Sequence, residues 1–211
     1  MEMRDLEYVV LNQGYVSVNG RVLDHEASGN ALLSELYRKD IADWPKFFKM
    51  DTLSKAGFVA SELLFKETGM TRCGAEEFIQ DHAIVLFGST ASLCADRNYQ
   101  ETIQDRENYF PSPALFVYTL PNIVTGEIAI RNHWRGETSF YVMDAPDAAQ
   151  MAFSLSCAFQ DNSTECILAG WVDSSMNDDF QVFVTLVHRE DAGDTDWLTG
   201  QIQQMINNLN K

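Results

Sequence analysis

Five consecutive apolar residues, Ala83 to Phe87, are closed by Gly88-Ser89-Thr90, and this stretch constrains the fold more than any other. A run of that length without polar alternation is the pattern of a strand buried on both faces, which occurs where helices cover both sides of a sheet. The glycine-rich ending delivers a loop to the C-terminal end of the strand, where loops of α/β proteins commonly build sites.

The neighbouring segments fit that arrangement. Before it, Tyr8 to Leu11, Gly14, Tyr15, Val16 and Val18 read as a strand with a bend or a hairpin ahead of Asn19-Gly20. Ala31, Leu32, Leu33 and Leu36 recur at helical spacing between Asn30 and Tyr37. A second helix begins near Asp51, its N-cap, presents Leu53, Ala56, Phe58, Val59, Leu63 and Leu64, and ends at Gly69. After the run, Pro111-Ser112-Pro113 leads into an apolar segment from Leu115 to Leu120 and a helix from Ile123 to Ile130, expected to pack tightly around Gly126. Ser139 to Met143 is a short strand, and Asp147 to Phe159 a helix apolar all round and therefore expected to be buried. Strands Cys166 to Val172 and Phe180 to His188 follow, joined by an acidic, solvated turn from Asp173 to Asp179. The last helix, Trp197 to Leu209, aligns Trp197, Ile202, Met205, Ile206 and Leu209 on one docking face. This order predicts an α/β sheet covered on both faces, with a final antiparallel edge strand.

Charge removes several function classes. The 211 residues carry 15 Lys and Arg against 31 Asp and Glu, a net charge of −16, which leaves no basic surface for nucleic acid. No apolar run reaches the roughly 18 residues of a membrane span, and the acidic segment from Met1 to Tyr8 is unlike a signal peptide, so a cytoplasmic protein is expected. Cys73, Cys94, Cys157 and Cys166 form no CxxC pair and are expected to be reduced, mostly buried thiols. His25, His82, His133 and His188 are scattered, with no HExxH, so neither a metal centre nor a cofactor is expected.

Several segments, in order, resemble the β-ketoacyl synthases. They are Lys49-Met50-Asp51-Thr52-Leu53-Ser54-Lys55-Ala56, the strand ending in Phe87-Gly88-Ser89-Thr90, and Pro113 to Asn122. Gly126-Glu127-Ile128-Ala129-Ile130, Arg135-Gly136-Glu137-Thr138 and Leu168-Ala169-Gly170-Trp171-Val172-Asp173 complete the series. The resemblance runs from about Tyr8 to Glu190. It implies a thiolase-like N-terminal half of class α/β: three layers, α/β/α, around a mixed five-stranded sheet. The whole chain, 1–211, is then a single such domain, with 191–211 a C-terminal amphipathic helix.

In that family the catalytic cysteine opens a buried helix, whose N-terminus lowers the thiol pKa. The corresponding position here is Pro146, flanked by Asp144, Ala145 and Asp147, so the nucleophile is missing. The family's two catalytic histidines belong to the C-terminal half, which is expected to be absent. The resemblance therefore implies a non-catalytic protein of a fatty-acid or polyketide-type pathway, a partner or assembly subunit. Gly88, Ser89, Thr90 and Phe116 are the candidate pocket residues. In the family, chains pair through the strand before the nucleophile, here Ser139 to Met143, so a homodimer or a heterodimer with a full-length ketosynthase is expected.

An acidic acyl carrier protein is the other implied partner. Between Arg38 and Arg72 there are seven Lys and Arg against five Asp and Glu, the one stretch that is not acidic. Arg38, Lys39, Lys46, Lys49 and Lys55 are the candidate carrier-binding cations. Two alternatives stand beside this reading. One is an acyltransferase or condensing subunit whose nucleophile is a relocated cysteine, Cys94 ahead of Cys157, or is supplied by a partner chain. The other is an acyl-ligand-binding domain.

Overall fold

The computed structural model describes residues 5–70, 72, 74, 76–176 and 178–209, and Cys73 lies outside them. The chain opens with β1 (Tyr8–Asn12), β2 (Tyr15–Val18) and β3 (Arg21–Val22), then α1 (Gly29–Asp40) and α2 (Thr52–Thr68). Next come β4 (His82–Gly88), α3 (Leu93–Glu101), α4 (Pro113–Val117), α5 (Ile123–Asn132), β5 (Thr138–Val142) and α6 (Ala148–Ala158). The chain then forms β6 (Cys166–Met176), β7 (Asp179–His188) and α7 (Thr195–Asn208).

The strands make one seven-stranded sheet in the order β3-β2-β1-β7-β6-β4-β5. β4 runs parallel to β5 and β6, and the remaining pairs are antiparallel. Residues alternate between two apolar layers. Ile84, Leu86, Leu168 and Val184 face α1, α2 and α5, whereas Ala83, Val85, Phe87, Ile167 and Trp171 face α6 and α7. The expected three-layer α/β/α architecture is present.

Two expectations about the sheet are corrected. It has seven strands and not five, because the N-terminal segment folds back twice. Asn19 (φ 51°) and Gly20 (φ 79°) both take positive φ, the geometry of a tight hairpin that Asn-Gly favours. β7 is also not the edge. β1 pairs along it from Tyr8↔Thr185 to Asn12↔Gln181, and burial of Val9, Val10 and Leu11 on both faces favours that position over an exposed one.

The central helix α2 follows its sequence closely. The Asp51 carboxylate accepts the Ser54 N–H at 3.0 Å, and Gly69 ends the helix with φ 68°. The tight contact expected at Gly126 occurs at Gly57. A Cβ at Gly57 would come within 2.6 Å of Val124 Cγ2, while one at Gly126 meets nothing within 4 Å. α6 is corrected too. Ala148, Met151, Ala152 and Leu155 are buried, but Phe153 is 64% exposed and Cys157 is exposed on the outer side. α7 docks as its spacing implies, burying Leu198, Ile202 and Met205 in the layer that holds α6.

Behind α2 lies an ionic cluster. Glu62 Oε2 accepts from Arg72 at 2.6 Å and from Arg131 Nε at 3.4 Å; its Oε1 accepts from Asn132 at 3.3 Å. Arg131 is also paired with Asp43. Glu62, Arg131 and Asn132 are all buried.

Candidate functional site

The C-terminal ends of β4 and β5 bring the glycine loop beside the segment that precedes α6. Gly88 is in register with Val142, and the Met143 N–H donates to the Gly88 carbonyl at 3.0 Å. Glycine is required there. A Cβ at Gly88 would lie 2.4 Å from the Val172 carbonyl oxygen and 3.0 Å from Phe140 Cζ, inside any tolerable contact.

The hydroxyls after Gly88 are committed to one carboxylate. Ser89 Oγ donates to Asp173 Oδ2 at 2.5 Å, and Thr90 brings its N–H (2.9 Å) and Oγ1 (2.6 Å) to Asp173 Oδ1. Asp173 therefore belongs to β6 and not to a solvated turn, because β6 continues to Met176. The other acidic residues of the expected turn are occupied as well. Asp178 accepts the Asn30 N–H at 3.1 Å, and Asp179 accepts the Ser175 hydroxyl at 2.5 Å. Nothing local in the sequence marked Asp173 as the partner of Ser89 and Thr90, since their pairing exists only once β4 and β6 are adjacent. Phe116 stands on α4, 53% exposed, with its ring 5.3 Å from that of Tyr99.

Pro146 lies half-buried just ahead of α6, between exposed Asp144, Ala145 and Asp147. Asp147 caps that helix, accepting the Gln150 N–H at 2.9 Å. The helix start thus holds carboxylates and no nucleophile, and a carboxylate there opposes any developing oxyanion. Of the described thiols, Cys157 is exposed on α6, and Cys94 and Cys166 are no better placed for acyl transfer. Burial pushes Cys94 above its ordinary pKa with Asp51 adding to it, and burial, Asp81 and Asp191 push Cys166 up to about 12. Both are thiols and not thiolates at neutral pH. Among the described residues, no three His, Cys, Asp or Glu side chains come together as a metal-ion site.

The five cations differ in their surroundings. Lys46 Nζ lies 2.8 Å from Glu127 Oε1, and the Arg38 guanidinium sits 5.6 Å over the Phe48 ring. Lys39 and Lys49 are exposed, whereas Lys55 is half-buried near the Phe47 ring.

Among the described residues, no strand covers the outer edge of β5. β5 is hydrogen-bonded on one side only, to β4, and carries Tyr141 at 44% and Val142 at 61% exposure. Its sequence, Thr-Ser-Phe-Tyr-Val, contains no charge and no proline, the devices that usually protect an edge strand. Phe87 stacks on Tyr141 at 5.3 Å, which puts Tyr141 on the α6 side of the sheet, the side where Phe153 is also uncovered.

Solved structures with this arrangement decide the fold. The ishigamide ketosynthase/chain length factor superposes over 87% of this chain with a TM-score of 0.58 at 14% identity. A ketosynthase (ApeO) in complex with its chain length factor (ApeC) from Xenorhabdus doucetiae covers 88% at 0.52 and 11% identity. The type II polyketide ketosynthase complex AntDE:AntF covers 89% at 0.53 and 11% identity. The fold is thiolase-like. No family model and no curated protein sequence matches the chain. The thiolase-like chain spans 61% of the length of the ishigamide protein and 80% of the ApeO–ApeC match. Among its described residues, no helix is long and apolar enough to cross a membrane.

Proposed function

We propose that this protein is a non-catalytic, ketosynthase-like subunit of a polyketide or fatty-acid type pathway that works by pairing through its β5 edge. The observation that supports it is the uncharged, apolar outer edge of β5 beside the uncovered face of α6. The structural neighbours are themselves ketosynthases with a chain length factor or an acyl carrier protein, which is in keeping with such a role.

The backbone explains how the edge would pair. Ile84 donates to Glu137 O and Met143 to Gly88 O, so the odd-numbered residues of this segment bond to β4. The N–H and C=O groups of Phe140 and Val142 then point away from the sheet, as alternation along a parallel ladder requires. A two-fold axis beside β5 would join two such edges antiparallel into one continuous sheet, and would cover Tyr141 and Phe153. The partner is a second chain of this fold, and a second copy of this chain when no other is present. Acidic acyl carriers are the other partner class on this reading, with Arg38, Lys39 and Lys49 as the exposed cations available to them.

The non-catalytic part is tested by intact-protein mass after incubation with acyl-carrier and acyl-coenzyme A thioesters. The unmodified mass is the expected result, since Pro146 offers no nucleophile and Cys94 and Cys166 are held protonated. A stable acyl adduct mapped to a single cysteine would make the protein an acyltransferase with a relocated nucleophile.

A further inference from the structure

On the face of the sheet opposite α6, the start of α2 meets α3 and α4 around a cavity of about 200 Å³. Two ammonium groups line it, Lys49 and Lys55, and neither makes a hydrogen bond or an ion pair among the described residues. Lys55 is half-buried, with the Phe47 ring 5.9 Å from its Nζ. Burial holds its ammonium below the ordinary lysine pKa, with Asp51 working in the opposite direction, so the charge is under-compensated where it stands.

Asp51 is the one carboxylate on the wall, and it is engaged as the N-cap of α2 through the Ser54 N–H. Tyr118, at the α4 side, donates its hydroxyl to Glu127 at 3.3 Å. The remaining wall is mixed, with apolar Met50, Ala95 and Leu115 beside polar Thr52, Cys94 and Asn98. Two cations without an ion pair, beside the apolar patch of Met50, Ala95 and Leu115, match an anion with a short hydrocarbon tail. Taking the roughly 30 Å³ share of one water, the space holds about six or seven non-hydrogen atoms.

We propose that this cavity binds a short-chain carboxylate of about four carbons, its carboxylate between Lys49 and Lys55 and its tail against Met50, Ala95 and Leu115. The site does not depend on the pairing of β5, since no residue of β5 or α6 lines it. The recognition is electrostatic at one end and apolar at the other. Butyrate should therefore bind better than acetate, which lacks the tail, or inorganic phosphate, which replaces it with charge.

The test is a titration of ¹⁵N-labelled protein with butyrate, acetate or inorganic phosphate, with ionic strength held constant by chloride. Butyrate is expected to give saturable shifts confined to amides around 49–56, 94–98 and 115–118, at several-fold lower concentration than the other two anions. Lys55→Met should weaken butyrate by at least about tenfold, the loss expected for one charge-assisted hydrogen bond. Lys55→Arg should retain binding, as should Lys66→Met, which alters a surface lysine paired with Asp40. Shifts spread over many lysines and equal for the three anions would overturn the proposal, leaving non-specific screening. So would unsaturable shifts, or butyrate binding by Lys55→Met equal to that of the parent.

Discussion

Gly88→Ala is expected to lower stability by roughly 3 kcal/mol, the upper range for forcing a group into a filled site. For a chain of this size that is a melting temperature lower by about 6–12 °C. The new Cβ would fall 2.4 Å from the Val172 carbonyl oxygen, a backbone atom that cannot rotate away, and 3.0 Å from Phe140. Relief requires β4 to separate from β6 or β5, and the loop that Asp173 holds through Ser89 and Thr90 moves with it. Gly126→Ala is the control. It has nothing within 4 Å and lies inside α5, so alanine should stabilise by about 0.5–1 kcal/mol. Thermal unfolding of both variants checks the contrast, and equal melting temperatures would show that Gly88 is not a point of close approach.

The second large effect is expected at Arg131. Replacing it by Met leaves the buried Glu62 carboxylate with Arg72 and Asn132 but without the guanidinium that lies against it, at a cost of roughly 3 kcal/mol. The cause is an under-compensated buried charge and not a lost attraction, so removing that charge as well should restore stability. The double variant Arg131→Met, Glu62→Met should recover most of the loss, because apolar residues of similar volume replace a buried pair at little net cost. Urea unfolding of the parent, the single and the double variant measures this. A double variant less stable than the single would mean that Glu62 contributes through Arg72 and Asn132 independently of Arg131.

What could be read in the sequence was local. Asp51 and Gly69 mark the ends of α2, Asn19-Gly20 the second hairpin turn, and the apolar run of β4 a two-sided strand, since each depends on a few neighbouring residues. Contacts across long separations were not legible. β7 is internal because β1, more than 160 residues earlier, pairs with it. Asp173 reaches Ser89 and Thr90, and Arg131 reaches Glu62, only after the sheet and helices assemble. The close approach at Gly57 and the open space at Gly126 follow from how α2 crosses α5, which residue spacing does not encode. α6 is the instructive case. Its sequence is apolar enough for a helix enclosed on all sides, yet within one chain only one side is covered, and Phe153 stays exposed. Composition reported an enclosed environment, which the proposed pairing of β5 would complete with a second chain.

The pairing of β5 is the centre of this account, and sedimentation velocity at micromolar concentration tests it most directly, for the parent and for Val142→Pro. The Val142 N–H points away from β4, so proline there should leave the β4–β5 ladder intact while removing a donor from the outer edge. The expected result is the mass of two chains for the parent and of one chain for Val142→Pro, with unchanged melting of the isolated domain. A parent that sediments as one chain at every concentration, or a Val142→Pro variant that pairs as well as the parent, would contradict it.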